Sequence, residues 1–160
     1  MKDEIRIESY GTVDELNSVI GVILTNPLSD KGKSILMDIQ HQLFILGADL
    51  ATPQNKKAKV ERIGNREITK LEQIIDELDE ELPPLTTFIL PGGSPAGSEL
   101  HMARTVCRRA ERRTVSLAKN EEISEDCVIY LNRLSDLLFV LARYENKKGD
   151  IKETPWISKK

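Results

Sequence analysis

The stretch SPAGSELHMARTVCRRAERRTVSLAK, Ser94–Lys119, decides the fold. Serine followed by proline marks a helix start: the hydroxyl accepts from free amides of the first turn, and proline's fixed φ suits the first helical position. Leu100, Ala103, Cys107, Ala110, Thr114 and Leu117 then recur at spacings of three and four, the period of one helix face. Small side chains dominate that stripe, so another helix can approach closely along it. The spacing predicts a helix running to about Lys119. It firms up only near Ser98, because Gly97 weakens the first turn.

Working outward, the same period returns four more times. Thr12 and Glu15 form a capping box ahead of Val13, Leu16, Ile20, Ile23 and Leu24, and Asn26-Pro27 ends that helix. Ser29 or Asp30 can cap a second helix, with Ile35, Ile39, Leu43, Leu46 and Leu50 on one face. Ala51–Gly64 is polar and aperiodic and reads as a long loop. A third helix starts near Asn65, gathers Ile68, Leu71, Ile74, Ile75 and Leu78, and stops before Pro83-Pro84. Ser124 opens the last, with Val128, Leu131, Leu134, Leu138 and Leu141 inward, ending near Gly149. "TTFIL" before Pro91-Gly92-Gly93 is extended, and the tail from Asp150 is polar except for Trp156. Strand signals are nearly absent. The expectation is an all-α protein, a five-helix bundle formed by residues 1–160 as one domain.

Composition bounds the function. At 160 residues the chain can bury one substantial core, and 39% hydrophobic with 31% charged residues is the balance of a soluble globular protein. The net charge of -3 argues against general nucleic-acid binding. No apolar run approaches the ~20 residues that span a bilayer, and the N-terminus lacks a signal-peptide core, so a cytoplasmic protein away from the membrane is expected. Cys107 and Cys127 make neither a disulfide framework nor a zinc motif. His41 and His101 do not complete a di-iron set, since only Asp38-x-x-His41 has nearly the right spacing; no metal site is expected. Gly32-Lys33-Ser34 resembles the end of a phosphate loop, but the glycine and strand that must precede it are missing.

The arginines are the outstanding chemistry. Five of the chain's ten, Arg104, Arg108, Arg109, Arg112 and Arg113, lie within ten positions and no lysine is among them. Arg104, Arg108 and Glu111 share a helix face. A solvated basic face is the plain alternative. Against it, the guanidinium fork suits phosphate oxygens, and a glycine-rich turn with a capped helix start lies just upstream. Two further polar stripes, Asp14–Asn17–Ser18–Gly21 and Asn132–Ser135–Asp136, suggest a cleft between helices or between subunits.

Three blocks, "SYGTVDELNS" (Ser9–Ser18), "FILPGG…LHMARTVCRRAERR" (Phe88–Arg113) and "YLNRLSDLLFVLARYEN" (Tyr130–Asn146), together resemble the ATP:cob(I)alamin adenosyltransferases of the PduO type. The resemblance implies a ferritin-like five-helix bundle assembled as a homotrimer with active sites between subunits. It implies transfer of the 5′-deoxyadenosyl group of ATP to cob(I)alamin, with magnesium accompanying the ATP and a reductase supplying electrons. By motif, Arg108 would contact the triphosphate, and Arg104 would pair with Asp14 across the subunit boundary. Glu111 and Asn132 would line the nucleotide site, with Arg133 beside them. Phe88 would displace the lower axial ligand of cobalamin.

Members of that family begin with a glycine- and threonine-rich segment that wraps the phosphates. Here only nine residues precede Tyr10, so that segment is expected to be absent, with Lys2 and Arg6 as the remaining basic residues of its end. Ile5 stands where proline is usual. A non-catalytic cobalamin- or nucleotide-binding module is the alternative this leaves, and a purely structural helical oligomer is a third.

Overall fold

The protein is described by a computed structural model covering residues 2–55 and 59–160, the side chain of Lys2 excepted. Five helices account for nearly all its regular structure: α1 Lys2–Ile23, α2 Asp30–Ala51, α3 Asn65–Glu80, α4 Pro95–Ala118 and α5 Glu125–Lys148. The sequence-derived all-α bundle is what is observed. α4 lies between α1 and α5; α2 packs on α1, and α3 on α5. The small stripe makes this possible: Leu100, Ala103, Cys107, Ala110, Thr114 and Leu117 are all buried, and the Thr114 hydroxyl meets that of Ser9 on α1 at 3.0 Å.

Three helix starts follow the expected chemistry. Ser29, Ser94 and Ser124 cap α2, α4 and α5, their hydroxyls accepting from the amides of Gly32, Gly97 and Asp126. Gly32 sits in the first turn of α2, so its lysine and serine neighbours belong to a helix and not to a phosphate loop.

Two boundaries differ from the sequence expectation. α1 begins at Lys2, ten residues before Thr12, whose hydroxyl donates to the Glu8 carbonyl inside the helix instead of capping it. The extra turns bury Arg6 and Ser9 in register with Val13, Leu16, Ile20 and Ile23, and those polar residues concealed the period. α4 is helical from Pro95, not from Ser98, because Gly97 is a packing requirement rather than a weak point. A Cβ on Gly97 or Gly93 would overlap the side chain of Asn146, and Gly93 also has φ +118°. The Asn146 carboxamide fills that space. It accepts from the Ser94 amide (2.9 Å) and donates to the Gly92 carbonyl (3.0 Å). Gly97→Ala is therefore expected to destabilise the fold by about 1–3 kcal/mol, as overpacking does, measured by denaturant unfolding.

Ala51 closes α2, and the loop after it is anchored: Arg62 donates to Asp49 at 2.8 Å, and Ile63 is buried. The tail is also held, by an antiparallel bridge between Ile89 and Pro155. Among the described residues no helix is long and apolar enough to cross a membrane.

Candidate active site

Of the five clustered arginines Arg112 is exposed, and the other four divide by helix geometry. Those facing α1 are paired: Arg109 with Glu15, and Arg113 with Glu8 at 3.9 Å. Arg104 and Arg108, one turn apart, face α5 instead and line a crevice of about 420 Å³ with Ile75, Ser135, Asp136, Phe139 and Val140. Among the described residues neither has a carboxylate partner within ion-pair distance. The Nε of Arg104 is buried without a hydrogen-bond acceptor among the described residues. Burial, and next the like charge of Arg108, lower the pKa of the Arg104 guanidinium. Two adjacent cations, one partly desolvated and with an orphan donor, make a receptor for an anion with several oxygens.

One turn further along α4, Glu111 begins a polar chain. It accepts from Asn132 Nδ2 at 3.0 Å, Asn132 Oδ1 accepts from Arg133 at 2.7 Å, and Arg133 reaches Glu72 on α3 at 3.2 Å. Arg133 thus fixes the Asn132 carboxamide while bridging α5 to α3.

Asp14 lies elsewhere. With Asn17, Ser18 and Gly21 of α1 and Gln40, His41 and Phe44 of α2 it lines an open crevice of about 460 Å³, which shares no residue with the arginine crevice. Asn17 and Gln40 exchange side chain-to-backbone bonds across it, and the Asn17 Oδ1 is buried with no partner among the described residues. Phe44 is 76% exposed beside them. Within one protomer, Asp14 and Arg104 are not brought together.

Phe88 is 82% exposed on the loop before α4. Behind that loop His101 is buried, edge-on to Phe139 with ring centroids 5.9 Å apart, its Nδ1 without a partner among the described residues. Burial and then Arg104 hold its pKa below the usual 6.5, Glu153 opposing them. Below about pH 6.5 the unfolded chain takes up a proton that the folded site resists, so stability is lost as pH falls through that window. His101→Gln should flatten the acid side of a plot of Tm against pH.

Arg6 is not part of either crevice. Its guanidinium is buried, donates to the Leu50 carbonyl at 2.5 Å and pairs with Glu121, which ties α1 to the end of α2 and to the segment after α4. The expectation for Lys2 falls on a side chain outside the described residues. Sequence reasoning assigned no role to Asn146, Arg143 and Glu153, which frame the Phe88 loop; the signal that could have found Asn146 is Gly93 and Gly97, where a side chain would overlap it.

A family model described as cobalamin adenosyltransferase matches residues 1–145. The chain belongs to that family. A corrinoid adenosyltransferase of Bacillus subtilis (strain 168) is 47% identical over 154 residues, covering 94% of this chain and 79% of the relative. A cobalamin adenosyltransferase of Cupriavidus metallidurans is 44% identical, covering 97% and 82%. Among solved structures, a phenylalanine-to-alanine variant of the PduO-type ATP:corrinoid adenosyltransferase from Lactobacillus reuteri, complexed with cobalamin and ATP, superimposes with TM-score 0.92 at 37% identity, covering 99% of this chain and 89% of that one. An arginine-to-lysine variant of the same enzyme, complexed with ATP, gives 0.90 at 37%, covering 98% and 89%. The cobalamin adenosyltransferase family is thus matched in sequence and in fold over nearly the whole chain.

Proposed function

We propose that this chain transfers the 5′-deoxyadenosyl group of ATP to cob(I)alamin, giving adenosylcobalamin and triphosphate. The observation that carries the reading is Arg108, a guanidinium with no carboxylate partner among the described residues, set beside Arg104 in one crevice. In the reaction the Co(I) electron pair forms a bond to C5′ of the ribose, and the C5′–O bond breaks toward the phosphate oxygen. Negative charge grows on the leaving triphosphate, and fixed guanidiniums stabilise charge where it develops. Because the corrinoid metal is the nucleophile, the protein contributes orientation and electrostatics rather than a nucleophilic side chain.

Arg108, the more exposed of the two, holds the triphosphate. Arg104 bonds Asp14 of a neighbouring subunit in a homotrimer, which gives the orphan Nε region and the separate Asp14 crevice one common explanation. Glu111 and Asn132, held by Arg133, orient the nucleoside. Phe88, exposed on its loop, displaces the lower axial ligand and leaves a four-coordinate Co(II) that is easier to reduce by a partner reductase. Magnesium would accompany the ATP and offset part of the phosphate charge.

The test is direct. Protein, ATP, magnesium and chemically reduced cobalamin should give adenosylcobalamin, read from its absorbance, with one intact triphosphate per product by phosphorus NMR. Corrinoid binding without turnover would leave a binding module instead.

A further inference from the structure

We propose that Arg143 and Glu153 are a positioning pair for Phe88, acting through the C-terminal strap of residues 153–156; this rests on the corrinoid role given to Phe88 above. An apolar ring held 82% exposed requires a backbone that cannot fold back to bury it. Yet the Phe88 loop lies outside every helix, so its order comes from what grips it.

Two backbone bonds grip it from the tail. The Leu90 amide donates to the Thr154 carbonyl at 2.9 Å, and the Trp156 amide donates to the Phe88 carbonyl at 2.8 Å, on either side of the Ile89–Pro155 bridge. The strap too lies outside every helix, so these bonds are only as firm as what ties it down. Ile151, just before the strap, donates its amide to the Asn146 carbonyl at 2.8 Å, and the side-chain anchor of the strap itself is Glu153, whose Oε1 accepts from Arg143 Nε at 2.6 Å. Arg143 is buried on α5, and its NH2 donates to the Pro83 carbonyl at 2.9 Å. One guanidinium therefore grips both the strap and the base of the Phe88 loop, a task suited to its planar fork. The far end of the loop is held separately, by Asn146 on Gly92 and Ser94. Loss of Glu153 should free the Phe88 segment while leaving the start of α4 in place.

The full chain carrying Glu153→Ala, Glu153→Gln, Phe88→Ala and the double change Phe88→Ala with Glu153→Ala separates positioning from bulk stability. Hydrogen exchange at the Leu90 and Trp156 amides should quicken by about tenfold or more in Glu153→Ala, while the Ser94 amide is unchanged. The fraction of four-coordinate cob(II)alamin formed with ATP present should fall by about tenfold. Glu153→Gln, which keeps an acceptor for Arg143, should fall less. In the Phe88→Ala background, Glu153→Ala should cause no further loss, since its route to the corrinoid is gone. Unchanged exchange at Leu90 and Trp156, or an equal further loss in the Phe88→Ala background, overturns the proposal. If the unaltered protein makes no adenosylcobalamin while Glu153→Ala still frees both amides, the strap's hold on the loop stands and the adenosyl-transfer reading falls.

Discussion

Arg108→Ala is expected to lower kcat/KM for ATP by about 10²–10³-fold, the usual consequence of removing one preorganised group from a site of developing charge. Thermal unfolding should barely move. Arg108 is exposed and forms no ion pair among the described residues, and surface substitutions of that kind shift stability by no more than about 0.5 kcal/mol. Arg108→Lys should fall between: the charge remains, but the two-pronged geometry toward phosphate oxygens is lost. Steady-state kinetics with ATP varied at saturating cob(I)alamin, beside a melting curve, checks all three. Equal turnover by Arg108→Ala would remove it from the site.

Phe88→Ala carries the second large effect, and it should depend on the oxidation state supplied. With cob(II)alamin and a mild reductant, the rate should drop about a hundredfold or more, equivalent to ~2.7 kcal/mol of barrier. With cobalamin already reduced to Co(I), the loss should be far smaller, because ligand displacement no longer limits the reaction. Folding should be unaffected, since the ring is 82% exposed and packs little. A uniform loss in both assays would make Phe88 a general binding contact rather than a device for reduction.

How far the sequence reached depended on whether the physics was local. The helices could be read wherever apolar residues kept the period and a serine or proline punctuated the end, as at Ser94-Pro95 and Ser124. The first ten residues of α1 escaped because Arg6 and Ser9 occupy its inward face, satisfied by Leu50, Glu121 and Thr114, partners 44, 115 and 105 positions away. No local rule anticipates such partners. Gly97 was misjudged for a related reason. Its lack of a side chain weakens an isolated helix, yet Asn146 requires that gap.

The candidate site shows the same division. Clustered arginines are visible in a string of letters, but which of them are neutralised is not. The bundle decides this by setting Glu15 and Glu8 against Arg109 and Arg113 while leaving Arg104 and Arg108 toward α5. The strap stayed hidden because its two backbone bonds leave no compositional trace.

Asp14 and Arg104, separate within a protomer, are proposed to complete one site across a subunit boundary. Complementation tests it most directly. Asp14→Ala and Arg104→Ala proteins, each inactive alone, are unfolded, mixed in equal amounts and refolded together. If each site takes Asp14 from one protomer and Arg104 from the next, about a quarter of the sites in a random closed ring regain both residues, and about a quarter of the unaltered activity should return. A mixture no more active than its two parents would contradict the shared site.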